Sequence, residues 1–178
     1  MRDEAEFRAA HAELAALRAE ALKPARQFAL WYFDEAGFTL TPCVPDAWQK
    51  VGQTLELASS HSLRQNILGF FTLQHEFHAF AFEGAIDTQT VIHRFKLFHQ
   101  RLERPAVVVV DNAPIHTSDD FAEQKLLWQA QDLAVKFIPP YCPEFNLIEL
   151  LWRKIKYEGL PLNASKKLLK NPSGRNRA

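Results

Sequence analysis

The stretch Ala106-Val107-Val108-Val109-Val110-Asp111-Asn112-Ala113-Pro114-Ile115-His116 restricts this chain more than any other. Four consecutive valines cannot alternate between an apolar and a polar face. They predict a strand buried on both sides, of the kind that runs through a sheet covered by helices. The apolar run stops at Asp111, and Pro114, which has no N–H to give a ladder, keeps the strand from continuing. An acid at the C-terminal end of a central strand stands where open α/β sheets carry their chemistry. Such an acid also commonly accepts hydrogen bonds from loop amides, so Asp111 alone leaves both roles open. The class it implies is α/β.

A second apolar run ends in the same way. Phe28-Ala29-Leu30-Trp31-Tyr32-Phe33 leads into Asp34 and Glu35, with Gly37 as the expected turn. Successive side chains of a strand point to opposite faces. Only one of these two acids can share a face with a site, and the reading adopted is Asp34. A third stretch begins with the proline-rich loop at 139–143 and runs into a helix for which Asn146 is the expected N-cap. Ile148, Leu151, Trp152 and Ile155 fall on one face of that helix, with Glu149, Arg153 and Lys156 along its border. Taken alone, Glu149 reads equally well as an i,i+4 surface partner of Arg153, worth a few tenths of a kcal/mol.

The remaining segments fit around these three. Residues 3–22, rich in Ala, Glu, Leu and Arg, predict a helix ended by Pro24. Its thin apolar stripe suggests loose packing on a neighbour or partner. Two short strands are expected within 39–57, and a hairpin from 66–73 and 76–82 with His75-Glu76 at its turn. A helix at 87–102, another at 118–131 and a short strand at 134–139 complete the pattern. His75 and His78 fit surface or packing positions better than metal ligation.

The chain of 178 residues suits one domain, and 47% hydrophobic content suffices for a core. With 21 Lys+Arg against 21 Asp+Glu, a general basic coat is excluded, though local patches are not. One such patch is the acid-free segment after Glu158, which holds Lys166, Lys167, Lys170, Arg175 and Arg177. Two cysteines make neither a disulfide framework nor a four-ligand zinc site, which points to a reducing cytoplasm. The charged start does not resemble a secretory signal, and no apolar run reaches the length of a membrane span, so no membrane partner is expected.

The three acids acquire meaning together. If the two acid-terminated strands are neighbours, Asp34 and Asp111 lie about 5 Å apart by the inter-strand spacing. Carboxylates that close repel unless a cation sits between them. Hard oxygen ligands suit Mg²⁺ or Mn²⁺. Two such ions about 4 Å apart can activate an attacking oxygen and stabilise a leaving one at a phosphodiester. Basic side chains at Arg153, Lys154 and Lys156, with the C-terminal tail, would contact phosphates.

Four motifs in this order give the chain a resemblance to a known family. They are Tyr32-Phe33-Asp34-Glu35-Ala36-Gly37-Phe38, then Ala47-Trp48-Gln49 through Gly52-Gln53, then Val110-Asp111-Asn112-Ala113-Pro114-Ile115-His116, and finally Pro143-Glu144-Phe145-Asn146-Leu147-Ile148-Glu149-Leu150-Leu151-Trp152. Over about residues 27–160 the chain resembles the DDE endonuclease domain of mariner-superfamily transposases, in their bacterial insertion-sequence branch. The resemblance implies a ribonuclease-H-like mixed five-stranded sheet flanked by helices, its first three strands an antiparallel meander. It implies catalytic, metal-binding acids at Asp34, Asp111 and Glu149, two Mg²⁺ or Mn²⁺ ions, cleavage of DNA at element ends, and transfer of the freed 3′-OH to target DNA. Asn112 and His116 match supporting positions, as orienting or DNA-contacting groups, and Asn146 supports the helix start.

The expected organisation is an N-terminal helix at 1–24, the endonuclease domain at 25–160 and a basic, disordered tail at 161–178. Full-length relatives carry helix-turn-helix modules ahead of this domain. The chain therefore implies a separate helix-turn-helix polypeptide or frameshift partner, a homodimer across paired ends, and work in the bacterial cytoplasm on nucleoid DNA. Two other readings remain open at this point: another ribonuclease-H-like nuclease, and a truncated remnant that binds DNA or a partner without cutting.

Overall fold

A computed structural model describes residues 4–38 and 64–156. The expected strands within 39–57, the motif at 47–53 and the basic tail lie outside the described residues. In chain order the elements are α1 (Glu4–Ala21), β1 (Ala29–Phe38), β2 (Gln65–Thr72), β3 (Phe77–Phe82), α2 (Thr88–His99), β4 (Ala106–Val110), α3 (Asp119–Gln129), β5 (Leu133–Phe137), a 3₁₀ turn at Pro143–Phe145 and α4 (Ile148–Lys154).

The five strands form one sheet in the order β3-β2-β1-β4-β5. The first three make an antiparallel meander, whereas β4 joins β1 in parallel and β5 joins β4 in parallel. This is the mixed, helix-flanked sheet that the sequence implied. The valine run is β4, and Val108, Val109 and Val110 are all fully buried. Alternation divides them between two cores. Val108 and Val110 join Phe33, Phe70, Phe95, Phe98, Phe121 and Trp128 under α2 and α3. Val109 joins Leu30, Tyr32, Ile148 and Trp152 under α1 and α4. The first core is built on aromatic contacts at favourable ring geometries, with Phe33 4.7 Å from both Phe70 and Phe95.

Two expectations about element ends need correcting. β1 does not stop at the acids: it runs to Phe38 through Gly37, because β2 pairs with it from Trp31↔Thr72 to Phe38↔Gln65. Only β4 stops short, its ladder with β1 ending at Tyr32↔Val109. Nor does α1 pack loosely. Leu14 and Ala21 are buried against the sheet, and Phe7 stacks on Phe145 at 4.7 Å. Arg18 donates through Nε to the Tyr32 hydroxyl at 2.8 Å and through Nη2 to the Phe145 carbonyl at 3.2 Å. A thin apolar stripe is supplemented by an arginine whose stem packs while its head finds acceptors.

The two hairpin histidines take the structural roles expected of them. His75 occupies the left-handed backbone position of the β2–β3 turn, φ 65°. The His78 ring packs edge-on to Trp31 at 5.2 Å, where burial and then the Arg101 charge lower its pKa. Among the described residues, no helix is long and apolar enough to cross a membrane.

Candidate active site

The β1–β4 register decides where the two aspartates stand. Ala29 pairs with Ala106 and Tyr32 with Val109, so two residues further along Asp34 comes level with Asp111. Side-chain alternation puts Asp34 on the face of Leu30, Tyr32 and Ala36, and Asp111 on that of Val107 and Val109. Both therefore face the layer of α1 and α4. Adjacent strands lie about 5 Å apart.

α4 is held over this point by two features. Across the β1–β2 ladder from Asp34 is Gly69, and a Cβ there would lie 2.7 Å from the Trp152 ring and 2.9 Å from Ile148 Cδ1. A side chain at this position would push the helix off the sheet. The second feature is Asn146, whose Nδ2 donates to the Phe33 carbonyl at 2.9 Å, one residue before Asp34. This corrects the expected N-cap. Leu147 is the cap residue of α4, with no side-chain bond, while Asn146 contributes its backbone carbonyl to Glu149 N at 3.1 Å. Its side chain ties the helix start to β1 instead. Glu149 thereby sits, exposed, in the first turn of α4.

The charges respond to one another across this arrangement. Burial, followed by the charges of Glu35, Glu149 and Asp111, pushes the Asp34 carboxyl up to about 8. Asp111 shifts the other way: a hydrogen bond from His116 lowers its pKa, aided by the Ala113 amide, and outweighs its partial burial. Burial would lower the His116 imidazolium, but hydrogen bonds to Asp111 and Glu35 and their charges overcome it and push it up to about 9. Among the described residues, no three Asp, Glu, His or Cys side chains converge closely enough to form a ready metal cage. Asp34, Asp111 and Glu149 share an electrostatic neighbourhood without meeting as ligands.

The sequence profile of DDE superfamily endonucleases matches residues 29–169. The chain belongs to this superfamily. That makes it a nucleic-acid-cleaving enzyme. Among solved structures, the DDE chain resembles the catalytic domain of Mos1 mariner transposase at 10% identity and a TM-score of 0.53, covering 96% of this chain and 81% of that one. It also resembles the Mos1 paired-end complex with left transposon end (13% identity, TM-score 0.57) and the Mos1 mariner paired-end complex with Mn (12%, TM-score 0.58). In both, the match covers 96% of this chain and 55% of the other. The DDE chain thus spans about half the length of the transposases it matches. A search of curated protein sequences gives no significant match.

Asn112 donates to the Ile138 carbonyl at 2.6 Å, tying the end of β4 to that of β5. His116 is 1% exposed and so is not placed for direct contact with DNA. Arg153 and Lys156 line a groove of about 460 Å³ together with Glu149, Glu144 and Trp152; the exposed Lys154 is not part of its lining. A second groove of about 330 Å³ lies between Asp111, Asn112, Asn146, Glu149 and the 139–143 loop, so Glu149 joins the two. Among the described residues Glu149 has no ion-pair partner, which disposes of the Glu149–Arg153 surface pair. Sequence reasoning missed Glu35. It points away from Asp34, on the other face of β1, and bonds His116 there at 2.7 Å.

Proposed function

We propose that this chain is the catalytic domain of a DDE transposase of the bacterial insertion-sequence branch, cutting DNA at element ends and joining the freed 3′-OH to target DNA. The observation that carries the reading is the register of β1 and β4, which sets Asp34 level with Asp111 on the face that α4 covers with Glu149.

The donor set fits a hard divalent cation in kind. Asp34, Asp111 and Glu149 offer carboxylate oxygens, and Asp34 is held protonated to about pH 8 by burial first and then by the neighbouring negative charges, which a cation would offset. Asn146, a residue lining the same groove as Asp111 and Glu149, has a buried Oδ1 that finds no hydrogen-bond partner among the described residues. Mg²⁺ or Mn²⁺ held here would supply Lewis-acid activation at a phosphodiester. The Mos1 paired-end complex with Mn is a relative in fold.

The chain's own groups do the rest. Asp111 has Oδ1 engaged by His116 Nδ1 at 2.8 Å and Ala113 N at 3.1 Å, which leaves Oδ2 for binding. Asn146 and Gly69 fix α4, and with it Glu149, against β1. Arg153 and Lys156 line the adjoining groove and would hold phosphates there, and Lys154 and the basic tail would add contacts. Recognition of particular ends falls to a helix-turn-helix polypeptide or frameshift partner, with two copies acting across paired ends.

The test supplies a pre-cut duplex with free 3′-OH ends, a supercoiled plasmid and Mn²⁺. Plasmid carrying joined duplex, lost with EDTA and in Asp111→Asn, is the expected result. Hydrolysis without joining would mark a ribonuclease-H-like nuclease instead, and binding without either product a non-catalytic remnant.

A further inference from the structure

The sheet presents the dipeptide Asp34-Glu35 as two carboxylates on opposite faces, and only the first faces α4. The second reaches His116. Its Oε1 lies 2.7 Å from Nε2 of that ring, while Nδ1 lies 2.8 Å from Asp111 Oδ1. The side chain of His116 is fully buried and that of Glu35 is 12% exposed, whereas that of Asp111 is 45% exposed and opens to the groove. The His116 ring is also flanked by Phe33 at 5.6 Å and Phe121 at 5.8 Å, both fully buried. With a carboxylate at each nitrogen and an aromatic ring on each flank, the imidazole can neither flip nor slide without breaking a charged hydrogen bond.

We infer that Glu35 is a positioning residue for the cation site: through His116 it fixes the orientation in which the Asp111 carboxylate is presented to the groove. With the acceptor at Nε2 removed, the ring loses one of its two anchors, and its bond to Asp111 Oδ1 loosens, leaving that oxygen to the Ala113 amide alone. The Asp111 carboxylate is then less fixed in orientation at the groove. Partners behind a ligand commonly matter this way, their loss costing about tenfold to a hundredfold in metal affinity. The bond to His116 is distinct from the charge, through which Glu35 contributes to the field on Asp34, and the two effects separate by substitution. Glutamine keeps an acceptor oxygen at the same reach and removes the charge. Alanine removes both.

The inference rests on the reading of Asp34, Asp111 and Glu149 as metal ligands, and the test separates the two. Mn²⁺ binding to the full chain is followed by electron paramagnetic resonance of the free ion, with circular dichroism confirming the fold of each variant. Wild type binds, D111N loses binding, E35A weakens it about tenfold or more, and E35Q stays within about threefold of wild type. If E35A does not fold, E35M fills the same volume without an acceptor and carries the same expectation. Folded E35A or E35M that binds as wild type does overturns this inference alone, as does E35Q that binds as weakly as E35A. Wild type that does not bind Mn²⁺, or D111N that binds unchanged, overturns the metal-site reading and this inference with it.

Discussion

Gly69 lies directly across the β1–β2 ladder from Asp34, and the missing side chain is the space that Trp152 occupies. A residue with no chemistry of its own thus sets the height at which α4, and Glu149 on it, stands over the aspartates. Gly69→Ala would place a methyl 2.7 Å from an indole ring that is itself 3% exposed. Overpacking of this kind costs about 1–3 kcal/mol. The expected outcome is a lower urea midpoint together with a loss of cleavage larger than the stability change explains, read by comparing rates at a temperature where the variant is fully folded.

Asn146→Ala should act on the same helix from its other end. It strips the 2.9 Å donor from the Phe33 carbonyl and frees the start of α4. Leaving a buried carbonyl unpaired costs about 1–3 kcal/mol. Chemical denaturation measures that directly. Proteolysis within 139–147 should quicken in the variant, because the loop loses its tie to β1.

Metal-free protein should lose stability as pH rises from about 6.5 to 9. His116 is raised from 6.5 to about 9, so the stability it contributes is complete below 6.5 and drains away as pH climbs through 9. Asp34 is raised from 3.8 to about 8, so the fold favours its protonated form and loses stability as pH rises from about 4 through 8. Asp111 is lowered, and its contribution disappears only as pH falls below the ordinary carboxylate range. Urea titrations in EDTA at pH 6.5 and 9 check the sign. Asp34→Asn should flatten the decline below pH 8 and leave the part due to His116.

Divalent cation should reverse that alkaline loss. A ligand that binds only the folded state at a hundred times its dissociation constant adds about 2.7 kcal/mol. Mn²⁺ should therefore raise the melting temperature of wild type at pH 8. Neither Asp34→Asn nor Asp111→Asn should respond.

How far the sequence could be read follows from what each feature depends on. The valine run and the apolar run before Asp34 were legible because burial on both faces leaves a local pattern, and strand alternation was enough to put Asp34 and Glu35 on opposite faces. The end of β1 was misjudged because acids and a glycine mark turns locally, whereas Asp34 and Gly37 are kept in the strand by the non-local pairing of β2. Asn146 satisfied every local condition for a cap, yet a strand carbonyl far away in sequence took its amide. Glu35 was passed over for a similar reason. Its partner His116 reaches it only because the loop after β4 folds back, with His116 N bonded to the Ala113 carbonyl and Thr88 Oγ1 donating to the Ile115 carbonyl. α1 was underrated because hydropathy does not count an arginine that bonds a buried tyrosine.

As proposed above, Asp34, Asp111 and Glu149 form one metal-dependent cutting centre. The most direct measurement is nicking of an end-labelled DNA duplex in Mn²⁺ by wild type, Asp34→Asn, Asp111→Asn and Glu149→Gln, each confirmed folded, with and without a helix-turn-helix partner. Wild type should nick the duplex in a manner that EDTA abolishes, with each single variant reduced at least a hundredfold. Nicking that survives EDTA, or that persists in any one of the three variants, would contradict this reading.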